Sequence, residues 1–485
     1  MKFTKKNIQL LALKSCQITL LIGVVFSSSC RKFTVIPAPQ NSINAANVFT
    51  NDATAISAVT SFYALLSSHE LENSTDMMSA PLYCGLTGDE LVLFSGATSN
   101  NTFVQYYSNN INESRDFNFW PLLYSYIYNA NSAIEGLNAS GSLTPVVKKQ
   151  LLGEAKFFRA FAYFYLVNLY GDIPLITTTD YKINSLKART SRSEIYNQII
   201  SDLTDAELLL SDKYLNSTLL KSTTDKIRLT KWASAALLAR AYLYNSKWAE
   251  AEQQATLVIN SGIYRLGNLT ANDYVFSKNS PEAIWQLQPV IFGWNSQSAQ
   301  IFSLTTGGPD LSHPVFLSDQ QLQAFEVGDQ RKVNWVDSVT VSGATYYFPS
   351  KYKISAVPSA VTEYEMIFRL GEQYLIRAEA RAKLGANLNG ALDDINQIRI
   401  RAGLPGNTLS TQADLLLSIE HERQVELFTE SGHRWFDLKR TGKIDDVMKL
   451  VSPKKGGQWS SYKQYFPIPL RELQLNPNLV QNPGY

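Results

Sequence analysis

Carboxylates are the first place to look for chemistry in this chain. Hydrolysis of a glycosidic bond needs two of them facing each other across a cleft, one with a raised pKa. The adjacent pairs Asp393-Asp394 and Asp445-Asp446 fall in or beside helical pattern, where successive side chains diverge, so they read as solvated faces. Glu422, Glu426 and Glu430 recur every four residues and share one helix face near Arg423, Arg434 and Lys439. Charge-paired packing accounts for them better than catalysis. His421-Glu422 opens like the zinc motif HExxH, but the fifth position is Val425, so no second imidazole faces a metal. The remaining histidines, His69, His313 and His433, are dispersed, and neither a GxSxG elbow nor a Walker loop occurs. No catalytic set and no metal site is expected; calcium on loop oxygens is the one cofactor the composition leaves open.

Binding chemistry is better supplied. A sugar ring offers an apolar C–H face and a rim of hydroxyls, so its receptor wants exposed aromatic plates beside amides or carboxylates. Two long segments, Tyr83 to Asp116 and Pro289 to Ser318, are rich in Asn, Ser, Thr, Gly and aromatics and keep no helical period. Loops of that length are uncommon unless functional or disordered, and these hold too many aromatics for disorder. The first offers Phe94, Phe103, Tyr106 and Tyr107 with Asp89, Asn100, Asn101, Gln105 and Asn109; the second offers Phe292 and Trp294 with Asn295, Gln297 and Gln300. The expected ligand contacts are Trp294, Tyr106, Tyr107, Phe292, Phe103, Asp89 and Asn101. Trp294 leads, because Gly293 before it and Asn295-Ser296-Gln297 after it are loop chemistry, whereas Trp120, Trp232, Trp248, Trp285 and Trp435 sit among apolar neighbours and read as packing.

The elements that must hold these loops are helices. Apolar periodicity predicts them over Ala53–Ser67, Phe119–Leu137, Val146–Tyr170, Ser193–Leu210, Lys231–Tyr244, Trp248–Ile259, Glu365–Leu384, Asn389–Ala402 and Ala413–Phe428. Three carry an Arg-Ala pair, at Arg159-Ala160, Arg240-Ala241 and Arg377-Ala378. The pairs Ala233–Tyr244 with Trp248–Ile259, and Tyr374–Leu384 with Ala391–Ile400, resemble tetratricopeptide units, in which small alanines let helices approach closely. The Arg-Ala spacings are unequal, so helix pairs separated by insertions are expected rather than a regular solenoid. Val333 to Tyr352 reads as a hairpin about Ser342-Gly343.

The amino end has Lys2, Lys5, Lys6 and Lys14, an apolar run Ile18 to Phe26, then Ser27-Ser28-Ser29-Cys30. Residues 1–29 read as a lipoprotein signal peptide with Cys30 as the lipidated residue and 30–44 as a tether, while length alone suggests two or three domains in 45–485. Cys16 leaves with the signal, so Cys84 is the only thiol left for the fold and no internal disulfide is possible. Removing four signal lysines from a net charge of +2 leaves +2 − 4 = −2, without a basic tract, which argues against a nucleic-acid partner.

The stretch Glu422–Lys443, ERQVELFTESGHRWFDLKRTGK, and the closing YFPIPLRELQLNPNLVQNPGY closely resemble the carboxyl-terminal signature of the SusD/RagB family of Bacteroidetes outer-membrane lipoproteins. Tyr128-Asn129-Ala130-Asn131, Gly153 to Ala160, Leu169 to Leu175, Glu282 to Trp285 and Asp329-Gln330-Arg331 extend the resemblance over nearly the whole mature chain. It implies a mainly α, SusD-like fold in which 45–485 is a single domain: a tetratricopeptide-type scaffold with long loops and a small β-hairpin. It also implies a surface-facing outer-membrane protein, lipid-anchored at Cys30, that captures a glycan without cleaving it and presents it to a TonB-dependent transporter resembling SusC. Peptide capture for such a transporter, or a helical scaffold without a small ligand, are the rival readings. Arg31-Lys32 departs from the acidic residues that mark surface export in these bacteria, so that orientation rests on the family.

Overall fold

The computed structural model of the protein describes residues 48–68, 77–114, 119–270 and 273–485; the leader 1–29, Cys30, the tether to Asn44, and His69 lie outside them. The principal helices are α1 (Asp52–Ser68), α2 (Ala80–Thr87), α3 (Asn101–Tyr107), α4 (Phe119–Ala139), α5 (Pro145–Tyr170), α6 (Arg192–Leu209), α7 (Lys231–Tyr244), α8 (Trp248–Ile259), α9 (Gln297–Phe302), α10 (Leu370–Leu384), α11 (Leu388–Arg401), α12 (Gln412–Glu426) and α13 (His433–Arg440). Helix dominates, as expected. No helix among the described residues is long and apolar enough to cross a membrane.

Local chemistry sets the ends. Pro145 opens α5, where its missing N–H costs nothing, and Ser191 with Glu194 forms a reciprocal capping box on α6. Gly385 ends α10 in the left-handed conformation. Along α7 the alanines 233, 235, 236, 239 and 241 are buried, which lets α6 and α8 pack closely on either side. Each helix from α4 to α8 packs on the next, and α8 then packs on α10, which carries α11 and α12. The row is therefore continuous in space although more than a hundred residues separate α8 from α10 in sequence.

The Arg-Ala pairs have a shared job in this row. Arg159 on α5 bonds Asp202 on α6 (2.6 Å), Arg240 on α7 bonds Glu372 on α10 (2.6 Å), and Arg377 on α10 bonds Asp394 on α11 (2.6 Å). Each small alanine sits beside a buried guanidinium that clamps the neighbouring helix. Asp394, expected on a solvated face, is thus buried and paired, while Asp393 is exposed.

Among the described residues, six strands form three two-stranded antiparallel sheets: β1 (Leu91–Leu93) with β3 (Val315–Leu317), β2 (Ala283–Leu287) with β6 (Glu365–Arg369), and β4 (Val336–Val341) with β5 (Ala344–Pro349). The last is the expected hairpin, turning at Ser342 and Gly343 with φ of 51° and 83°. Glu365–Leu384 is not one helix. Its first five residues form β6, whose MIF core is enriched in strand formers and pairs with the fully buried β2, and the helix begins at Leu370.

A buried charge cluster lies between the segment joining α8 to α10, residues 260–369, and α12. Arg369 donates to Glu282 (2.8 Å), Glu426 (2.6 Å) and Glu430 (2.7 Å), and Arg331 to Asp329 (2.8 Å), Glu422 (2.8 Å) and Glu426 (3.1 Å). Burial alone would raise the Glu426 carboxyl, but Arg401, Arg369 and Arg331 outweigh it and hold the group well below the usual carboxylate range. Glu422, Glu426 and Glu430 thus serve charge-paired packing, as expected, but not on one helix face with Arg423, Arg434 and Lys439. Helix α12 ends at Glu426, Glu430 lies beyond it, and the partners come from other elements, while Arg423 pairs with Asp437 and Arg434 with Asp89. Lys351 Nζ caps the end of α12 by donating to the carbonyls of Glu426 (2.9 Å) and Phe428 (2.8 Å). Gly432 then turns the chain into α13 at φ 73°, where a Cβ would meet Cys84 Sγ at 3.0 Å, so that position needs glycine.

Candidate functional site: an aromatic face on two stitched loops

The two expected ligand loops are not structureless. The first contains α2, β1 and α3, the second α9 and β3, and β1 pairs with β3 so that Leu91, Val92 and Leu93 face Leu317, Phe316 and Val315. The Phe94 N–H extends the ladder to the Pro314 carbonyl (2.8 Å). These runs are too short to show periodicity, which is why the sequence read them as loop.

Alternation sorts the side chains. Leu91, Leu93, Val315 and Leu317 are buried, while Val92 and Phe316 lie half-buried on the outer face, with Phe94 half-buried beyond the strand end. Tyr346 of β5 stands against Phe316 with ring centroids 5.1 Å apart at 77°, an edge-to-face pair. Beside this pair runs a groove of about 430 Å³ lined by Tyr107, Val92, Phe316, Gln320, Gln323 and Lys455, among others. The Gln320 and Gln323 amides make no hydrogen bond among the described residues and lie at the edge of the aromatic face.

The floor is fixed by the carboxyl-terminal signature. Arg434 on α13 holds Asp89 through two nitrogens, at 2.9 and 2.8 Å, and Ser318 N–H donates to the Glu90 carbonyl (2.9 Å). Lys455 Nζ donates to the carbonyls of Leu86 (2.5 Å), Thr87 and Gly88 at the end of α2 and lies 5.0 Å from the Tyr107 ring centre. Burial pulls its pKa down to about 7. Glu90 is fully buried, and burial pushes its carboxyl up to about 8 against the 3.1 Å bond from Thr429 N–H. Its ordinary value is 4.5, so the folded chain holds a proton there that the unfolded chain releases. The stability this contributes is complete below the ordinary value and is lost as pH rises to about 8. Glu90→Gln, which mimics the neutral acid, should therefore gain on the native protein between pH 5 and 8; thermal melting at both pH values reads this, and a constant Tm difference would contradict it.

Three expected contacts are removed by burial. Phe103 is 1 % exposed and Tyr106 2 %, because the 103/106 spacing on α3 turns both rings inward onto Tyr83. Asp89 is 4 % exposed, its carboxylate committed to Arg434. Tyr107 lines the groove, and Asn101 is exposed on α3, where it accepts from Gln105 (3.3 Å). Phe292 and Trp294 stand elsewhere: Phe292 is 89 % exposed, and half-buried Trp294 lines a separate small recess beside the end of α1. Asn295 fixes that tip, donating to the Ala360 carbonyl (3.1 Å) and accepting from the Thr362 (2.8 Å) and Glu363 (2.9 Å) N–H groups. Phe316 and Tyr346 were missed. The apolar VFL run and the tyrosines of the hairpin were the available signals.

Glu326, His421 and Glu422 are close enough to share a cation, but Arg399 already bonds both carboxylates, at 2.6 and 2.7 Å. Arg331 adds a second guanidinium on Glu422 at 2.8 Å, so the two carboxylates already face two cations.

A row of helix pairs carrying an aromatic face on stitched loops defines a class of binding scaffold, and comparison with known proteins specifies it. A profile described as "SusD family" matches residues 318–485, and one described as "Starch-binding associating with outer membrane" matches residues 51–243. "SusD-like protein P25" of Formosa agariphila is 26% identical over 76% of this chain and 79% of its own. "Starch-binding protein SusD" of Bacteroides thetaiotaomicron is 24% identical over 72% of this chain and 75% of its own. A solved structure described as a "Laminarin binding SusD-like protein" superposes with a TM-score of 0.71 at 23% identity, covering 90% of this chain and 99% of that one. The chain belongs to the SusD/RagB family.

Proposed function

We propose that this protein is a lipoprotein, anchored at Cys30 and facing the cell exterior, that captures an oligosaccharide or polysaccharide and hands it to a TonB-dependent outer-membrane transporter without cleaving it. The observation that carries the reading is the Phe316–Tyr346 pair beside a polar groove, with Phe94 half-buried at the strand end. Such an edge-to-face pair presents apolar ring surface to sugar C–H groups, and Gln320 and Gln323 supply hydroxyl partners. The family's description as starch-binding and outer-membrane-associated supports it, as do relatives described as binding starch and laminarin. The clustered carboxylates Glu422, Glu426 and Asp394 are held by arginines in the core, and the groove presents Asp319 with Asp89 already committed to Arg434, which favours capture over hydrolysis by a facing pair.

Anchoring and hand-over have their own test. Cys30→Ala protein should leave the outer-membrane fraction, and native protein solubilised gently from membranes should bring a TonB-dependent transporter with it. Membrane retention of the variant, or purification of the native protein alone, would contradict this part of the proposal.

A further inference from the structure

A second cleft, of about 420 Å³, opens between α1, the segment 215–228 and the chain leaving β2. Its size lies within the range of roughly 300–1,000 Å³ typical of small-molecule sites. Tyr63, Ala64, Leu215, Ile227, Leu287 and Val290 make its apolar wall. The wall is locked in place: Asn216 N–H donates to the Lys221 carbonyl (2.9 Å), Thr223 N–H to Tyr214 (2.9 Å), and Gln286 N–H to Lys226 (2.9 Å).

Arg228, the cation that lines the cleft among the described residues, is already paired. Arg228 donates to the buried Glu154 at 2.8 and 3.0 Å and to Thr60 Oγ at 3.2 Å. Asp225 accepts from Asn279 (2.8 Å). An anionic ligand would find no free cation and would face the Asp225 carboxylate, whereas a neutral one would meet the Asn216 amide N–H₂, the Ser217 hydroxyl and the Gln288 amide, which donate no hydrogen bond among the described residues. Ser67, Leu287 and Gln288 also line the recess that holds Trp294, so that ring stands at one end of the same depression.

We infer that this cleft is a second ligand site, separate from the Phe316–Tyr346 face, that takes one or two units of an uncharged saccharide, with Trp294 beyond its end as a plate for the next unit. The ligand class rests on the glycan reading above; the existence of the site rests on the cleft. Beside the paired Arg228 and the Asp225 carboxylate, itself an acceptor for hydroxyls, the polar groups are neutral donors and acceptors along an apolar wall, which matches a sugar's alternation of C–H face and hydroxyl rim.

The test uses maltose and laminaribiose as neutral probes and digalacturonate as an anionic one, titrated by calorimetry into the full chain. A Phe316→Ala/Tyr346→Ala double variant should still bind a neutral disaccharide, and adding Ala64→Phe, which fills the cleft from the face of α1, should weaken that residual binding at least tenfold. Gln288→Ala, a smaller change at an exposed position, should weaken it a few-fold, and an unchanged Tm for each variant confirms that the fold is intact. Residual binding that survives Ala64→Phe, its absence from the double variant while the native chain still retains polysaccharide, or a preference for digalacturonate would each overturn the inference. If no neutral saccharide of any length binds the native chain, the glycan reading falls and this ligand class with it.

Discussion

Replacing Arg369 by methionine will destabilise the fold by about 3–5 kcal/mol, enough to take most of the stability of an ordinary domain. The side chain is fully buried, and its guanidinium reaches Glu282, Glu426 and Glu430 as well as the Glu426 carbonyl (2.8 Å). Methionine fills most of the volume but leaves these carboxylates short of a partner in a low-dielectric interior. They must then stay ionised at high cost or take up protons. The cost comes from charge left without compensation, so it is far larger than the net worth of the pairs themselves. Arg265 provides the contrast. Its bridge to Asp273 is equally short, at 2.7 Å, yet the two side chains are 60% and 47% exposed, and Arg265→Ala should change stability by no more than about 0.5 kcal/mol. Urea unfolding of both variants checks the pair of expectations, and similar losses from the two would contradict this account of the core.

The second large effect concerns binding. Phe316→Ala together with Tyr346→Ala should weaken polysaccharide binding by about 2 kcal/mol, roughly 30-fold, because the pair forms the aromatic centre of the proposed face. Backbone hydrogen bonds hold β1 to β3 and β4 to β5, and both rings are half-exposed, so the fold should survive. Gel retention with a melting curve for each variant separates lost binding from lost structure. Unchanged retention would place the ligand on another surface.

The comparison of these two effects shows what could be read from residue order. Long amphipathic helices were legible, with Lys231–Tyr244 and Trp248–Ile259 found as expected, because 3.6-residue periodicity accumulates over three or more turns. The packing role of Glu422, Glu426 and Glu430 was legible too, though not their partners. The site was less legible, for two physical reasons. The β1–β3 pairing joins segments more than two hundred residues apart, each with three strand residues, and no local pattern records such a partner. Loop composition, moreover, does not say which aromatic is covered: Phe103 and Tyr106 look like Tyr107 until the fold buries the first two and leaves Tyr107, at the end of α3, half-buried. The Arg-Ala pairs are visible as a pattern in the sequence, yet their meaning, a guanidinium clamp to a neighbouring helix, depends on the partner acids Asp202, Glu372 and Asp394 on other elements.

The signature and the site are thus physically connected. Arg434 and Gly432, within the segment that resembles the family most closely, hold Asp89 and Cys84 at the root of the first loop. The closing QNPGY is a fastener of the same kind: Asn482 donates to the carbonyls of Tyr170 (3.0 Å) and Phe466 (2.8 Å), tying the chain end to the last turn of α5. Neither touches a ligand groove, and both fix the frame from which the groove is built.

Capture without cleavage is the centre of the account, and affinity electrophoresis of the purified native chain through gels containing starch, laminarin and other neutral polysaccharides tests it most directly. The account predicts retardation by at least one polymer that is recovered at its original length after prolonged incubation. Free migration through every gel, or shortening of the retained polymer, would contradict it.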